Sequence, residues 1–106
     1  MPAHIKKLLC ELKEGLVRIY GEQLKAVYLY GSYARGEAHP DSDIDVMLVL
    51  SHYEHYGDEI ERTGELVSNL SLEYGISISR VIMTLSQWQE SDTPLLRNIR
   101  AEGLPA

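Results

Sequence analysis

The chain has 106 residues, 44% hydrophobic and 25% charged, a balance that suits one globular domain with a single core. A formal net charge of -6 excludes the broad basic face that extended nucleic acids need, but not a small anion neutralised by a metal. No apolar run of about 18 residues is present, so no membrane span is expected, and the single cysteine, Cys10, fits a reducing cytoplasm.

Charges near the N-terminus come too early for a secretory signal. Over residues 3–20, Ile5, Leu8, Leu9, Leu12, Leu16 and Ile19 recur at helical spacing, predicting an amphipathic helix that stops at Gly21. "KAVYLY", residues 25–30, reads as a strand. Ser32 is placed to cap a short helix over "YARGEA", and "HPDS" is a turn punctuated by Pro40 and Asp41. Residues 43–50 form the second strand, with Ile44, Val46, Leu48 and Leu50 on one face and Met47 and Val49 on the other. Apolar on both faces, it is predicted to be central.

A helix follows over residues 58–74, with Ile60, Val67, Leu70 and Tyr74 on its inner stripe. Gly64 falls on that stripe, where a missing side chain would permit close packing. Residues 76–83 form a third strand, parallel to the second if the helix between them is a right-handed crossover. Ser86 with Gln89 resembles a capping box that opens a short helix at "QWQES". A last helix spans "PLLRNIRAEG", with Pro94 near its first turn and Gly103 past its end. The order αβαβαβα predicts an α/β (α+β) fold: one domain over residues 1–106, with a small mixed sheet of three strands or slightly more covered by helices.

The chemistry concentrates in "GSYARGEAHPDSDIDVMLVL". Strand periodicity puts Asp43 and Asp45 on one face, about 6.5 to 7 Å apart along the backbone. Two carboxylates so placed can converge on a hard cation, and Mg²⁺ is typically held by such a pair plus phosphates and water. Gly31 and Ser32 close the first strand and open a helix, where free N–H groups favour a phosphate. Without a Cβ, Gly31 lets an oxygen approach the backbone. Arg35, one turn on, can offer a charged fork to the same phosphates.

Gly31-Ser32, ten residues, then Asp43-Ile44-Asp45 resembles the nucleotidyltransferase superfamily with a DNA polymerase β-like core. Its compact form is most similar to the minimal nucleotidyltransferases of prokaryotes. The resemblance implies transfer of a nucleoside monophosphate from a nucleoside triphosphate, ATP for preference, to a hydroxyl with release of pyrophosphate. It implies two magnesium ions on Asp43 and Asp45 as catalytic and metal-binding groups, with Gly31, Ser32 and Arg35 binding the nucleotide. It implies a cytoplasmic antitoxin whose partner is a small helical HEPN-class RNase toxin, adenylylated or simply occluded. Homo-oligomerisation stays open, as does the acceptor.

One departure weakens the pattern. Family members equipped for catalysis carry a third carboxylate on a later strand, where this chain reads "ISISRVIM". Ser77 is the expected occupant of that position and Ser79 the second choice, with Glu73 as a substitute reaching in from the helix end. Serine is neither a strong Mg²⁺ ligand nor a base at neutral pH, so one metal site is expected to be weak, and whether the chain is an enzyme stays open. His52 and His55 flank Glu54 in a solvated loop and are not expected to bind a metal. His4 and His39 read as surface residues, Cys10 as a structural thiol and Tyr28 and Tyr30 as core. Trp88 is expected to cover a sheet edge or a partner surface.

Overall fold

The computed structural model describes residues 1–106. Helix α1 (Ala3–Tyr20) buries Ile5, Leu8, Leu12 and Leu16 completely, as their spacing requires. A 3₁₀ turn (Gly21–Gln23) leads into β1 (Leu24–Tyr30). Then come α2 (Ser32–Arg35), β2 (Ile44–Leu50), α3 (Tyr56–Tyr74) and β3 (Ile78–Thr84). Two short helices, α4 (Leu85–Glu90) and α5 (Pro94–Glu102), and a two-residue strand, β4 (Leu104–Pro105), complete the chain.

The sheet order is β3-β2-β1-β4. β1 runs antiparallel to β2 and to β4, whereas β2 and β3 are parallel and joined by the α3 crossover. β2 is covered on both sides. Ile44, Val46, Leu48 and Leu50 face α1 and α3, while Met47 and Val49 face Leu96 and Ile99 of α5. All six are essentially removed from water, so this strand is the spine of both cores.

The differences from the expected elements have local causes. β4 adds a fourth strand at Leu104 and Pro105, paired with Leu29 and Tyr28; two residues are too short to show a period. β3 starts two residues later than its apolar run and continues to Thr84, so α4 begins directly at Leu85. The capping box is therefore Thr84 with Gln87. The Thr84 hydroxyl accepts from the Gln87 N–H at 3.1 Å, and the Gln87 side chain accepts from the Thr84 N–H at 3.0 Å. Ser86 instead sits inside α4.

Gly64 does not mark the expected close packing of α3 against the sheet: a Cβ there would meet nothing. The close approach is between helices, at Gly15 of α1, where a Cβ would strike the Leu66 side chain of α3. The buried stripe of α3 is also partly polar, with Glu59 and Thr63 alongside Val67 and Leu70. Glu59 accepts from the Tyr20 hydroxyl at 3.0 Å and pairs with Arg62 at 3.3 Å. The Thr63 hydroxyl accepts from Arg80 at 2.7 Å. Every buried polar side-chain atom is bonded, which is why these groups are tolerated inside. Burial first, then the bond to Glu59, pushes the Tyr20 hydroxyl up to about 12.

Candidate functional site

β1 ends at Gly31, whose φ of 76° lies where side chains are disfavoured. The chain then turns into α2, anchored by the buried Tyr33 ring in the α1–α3 side of the core. Ser32 is the first helical residue rather than the cap; Gly31 holds the cap position and no side chain bonds there. The Arg35 N–H donates to the Gly31 carbonyl at 3.2 Å. Gly36, left-handed at φ 72°, ends the helix after one turn, short of the six residues expected. The first-turn N–H groups of such a helix have no partner within it.

Asp45 is the second residue of β2, half-buried, with Tyr30 of β1 and Ser79 of β3 as its lateral neighbours. Its carboxylate rests against the Cα of Gly31, so closely that a Cβ on Gly31 would overlap Oδ2 and lie 3.2 Å from Cγ. The turn and the acid therefore share one spot. Asp43 stands exposed just ahead of β2 and, by strand alternation, on the same face. Between Gly36 and Asp43, a tight loop is tied by the His39 N–H donating to the Ser42 hydroxyl at 2.8 Å.

Burial first, then the charge of Asp43, raises the Asp45 carboxyl above the ordinary value, with Arg35 opposing. A cation between the two carboxylates would relieve that repulsion. Arg35 is itself engaged elsewhere. Its guanidinium bonds Glu37 at 3.1 Å and pairs with Glu102, at the end of α5, at 3.5 Å. Those bonds hold its own affinity for the proton above the usual value.

On the third strand, Ser79 shares the rung of Asp45, and Ser77 lies just ahead of the strand, its carbonyl accepting from the Ile44 N–H at 2.9 Å. Both are exposed. Glu73 is also exposed, on the helix that covers the opposite face of the sheet. No three His, Cys, Asp or Glu side chains converge anywhere, and His52 and His55 are exposed. Two carboxylates are an all-oxygen set that suits a hard divalent ion, provided phosphate and water complete its shell.

Glu102 is a neighbour hidden from the sequence, because its pairing depends on where α5 docks. Tyr30, beside the turn in the sequence and half-buried, is the cross-strand neighbour of Asp45. Cys10 is exposed rather than packed. Trp88 lies 5.2 Å from the Tyr28 ring, with Arg100 4.7 Å above its face. Cavities of about 820, 560 and 290 Å³ all lie away from Asp43 and Asp45. The acid pair and the turn form an open shelf, located by its chemistry and not by its volume.

A family model for the nucleotidyltransferase domain matches residues 9–102. The chain is 37% identical over 76 residues to the bifunctional uridylyltransferase/uridylyl-removing enzyme of Pseudomonas putida, which is 70% of this chain and spans 8% of that protein's length. It is 32% identical over 78 residues to a Methanocaldococcus jannaschii chain provisionally named a protein adenylyltransferase, covering 74% of this chain and 78% of that one. Among solved structures, a chain of a toxin–antitoxin complex with AMP-PNP superposes at TM-score 0.62 with 22% identity, over 89% of this chain and 68% of that one. A chain of the complex between tri-AMPylated Shewanella oneidensis HEPN toxin and MNT antitoxin does so at TM-score 0.51 with 16% identity, over 92% and 70%. With the family model spanning most of its length and a polymerase β-like sheet beneath the shelf, the chain belongs to the nucleotidyltransferase domain family.

Proposed function

We propose that the chain binds a magnesium–nucleoside triphosphate on the Gly31–Asp45 shelf and transfers the nucleoside monophosphate to a hydroxyl of a partner protein. The observation that carries this reading is the contact of the Asp45 carboxylate with the Gly31 turn, which joins an acid pair to a helix-opening glycine turn. Asp43 and Asp45 would hold the magnesium, which when bound supplies neutralising charge to the polyphosphate. Gly31 and Ser32 would seat the phosphate tail against free backbone N–H groups. Arg35 would join them after exchanging Glu37 and Glu102 for phosphate oxygens.

In the transfer, the acceptor oxygen forms a bond to the α-phosphorus while the bond to pyrophosphate breaks. The hydroxyl proton leaves to water, since Ser79 occupies the rung where an acid could take it. The AMP-PNP-bound neighbour and the adenylyltransferase relative support ATP as the nucleotide. The MNT antitoxin neighbour supports a HEPN-class toxin as the acceptor and an antitoxin role in the cytoplasm.

The serine on the Asp45 rung also favours a second reading, in which the chain neutralises its partner by occlusion without transfer. Purified chain, radiolabelled ATP with Mg²⁺ and a purified HEPN-class partner separate the two. Label on the partner that disappears with Asp43→Ala/Asp45→Ala supports transfer. Full neutralisation without label, in wild type and double variant alike, refutes it.

A further inference from the structure

The 820 Å³ cavity is a groove between α1 and the β4 edge, lined by Leu9, Val17, Leu29 and Leu104 among others. Six large hydrophobic side chains are exposed on this chain, and three of them, Met1, Val17 and Leu104, border this groove. Single exposed hydrophobics are ordinary, but a cluster of them around one concavity marks an interaction surface.

Its charge is as uneven as its polarity. Lys6, Lys13 and Arg18 border the groove against one acid, Glu14, which lies 4.0 Å from Arg18. Lys6 and Lys13 take part in no ion pair, on a chain whose net charge is -6. Lys6, Cys10, Lys13 and Val17 follow one another along α1 at helical spacing, so cations and apolar groups present a single face.

We propose that this groove docks an acidic, amphipathic segment of a second protein. Its apolar side chains lie against Leu9, Val17 and Leu104, and its carboxylates meet Lys6 and Lys13. α1 covers the face of the sheet opposite Asp45, so docking here leaves the Gly31–Asp45 shelf open. The inference is independent of the nucleotide chemistry and stands or falls by itself.

The test is selection of a random peptide library, displayed on phage, against the whole chain. Recovered peptides are then titrated in solution, read by a dye on Cys10, the single cysteine, which is exposed within the groove. The expected sequences interleave Asp or Glu with Leu, Ile, Phe or Trp. Their affinity falls at least about tenfold in Lys6→Glu/Lys13→Glu and in Val17→Asp, and rises as salt is lowered. All three altered residues are exposed, so circular dichroism should report an unchanged fold. Asp43→Asn/Asp45→Asn should bind the peptides like wild type. Recovery of no sequence, recovery of peptides without net negative charge, or equal binding to the charge-reversed variant overturns the proposal. So does a wild-type dimer in sedimentation that Val17→Asp splits, because the occupant is then a second copy.

Discussion

Gly31→Ala is the sharpest perturbation of the shelf, because two separable penalties meet at one atom. At φ 76° and ψ -156° any L side chain enters a backbone region used essentially by glycine alone, which costs about 1–3 kcal/mol. The added Cβ also overlaps the Asp45 carboxylate. The acid must leave its rotamer, at a further cost of about 0.5–1.5 kcal/mol. Together these amount to about 1.5–4.5 kcal/mol, and about 4–8 °C of Tm per kcal/mol is usual for a domain of this size. Thermal unfolding followed by circular dichroism should therefore show a fall of about 6–36 °C. The two parts separate in a double-mutant cycle with Asp45→Ala, which removes the overlap and leaves the backbone strain. The coupling energy should equal the side-chain part, about 0.5–1.5 kcal/mol. Calorimetry of magnesium–ATP should show binding lost with Gly31→Ala. Strict additivity in the cycle, or wild-type nucleotide affinity in Gly31→Ala, would refute the claim that turn and acid share one spot.

Asp45→Asn should raise Tm at pH 7 without divalent cation. The folded chain holds the Asp45 proton more tightly than the unfolded one, so ionisation destabilises the fold. That penalty is present above the raised native value and is lost as pH falls toward the ordinary 3.8, so the gap between variant and wild type should close there. A gap that widens on acidification reverses the sign and contradicts the reading. Ser79→Asp should tighten Mn²⁺ binding and raise transfer, because it places a carboxylate on the Asp45 rung; restoring a base is typically worth about 10²- to 10⁴-fold. A larger gain from Ser77→Asp would show that the rung has been misassigned. Glu102→Gln should free Arg35 from α5 and tighten nucleotide binding by at most about fivefold, since exposed ion pairs are worth about 0.2–1 kcal/mol. Weaker binding in Glu102→Gln would mean that the pair orients Arg35 instead of withholding it.

What the sequence made legible follows the strength of its periodicities. α1 and β2 carry long, regular apolar patterns, and both fold with the predicted residues buried, Ile19 only partly. The parallel pairing of β2 with β3 follows from the long helical connection through α3. Gly64 reads as a close-packing position, yet a Cβ there would meet open space; the point where helices approach is Gly15 against Leu66, which no single helix's pattern reveals. Glu59 and Thr63 in the α3 stripe are hidden from any apolar pattern, because their partners Tyr20 and Arg80 lie on other elements. The rung of Asp45 turns on where β3 begins. An apolar run starting at Ile76 cannot distinguish that from Ile78, and so reading order placed Ser77 ahead of Ser79. The link from Arg35 to Glu102 depends wholly on tertiary docking.

All five candidate residues, Gly31, Ser32, Arg35, Asp43 and Asp45, lie on one antiparallel hairpin, β1 to β2, with only α2 and a short loop between its arms. Closing so short a connection sacrifices little chain entropy, and contacts this near in sequence form early in folding. β3, α3 and α1 contribute insulation rather than ligands. The 76-residue match to a uridylyltransferase, 8% of that protein's length, sets a unit containing such a hairpin within a much longer chain. On the proposed reading, the surrounding helices are open to rebuilding for new acceptors without disassembling the part that would hold phosphate.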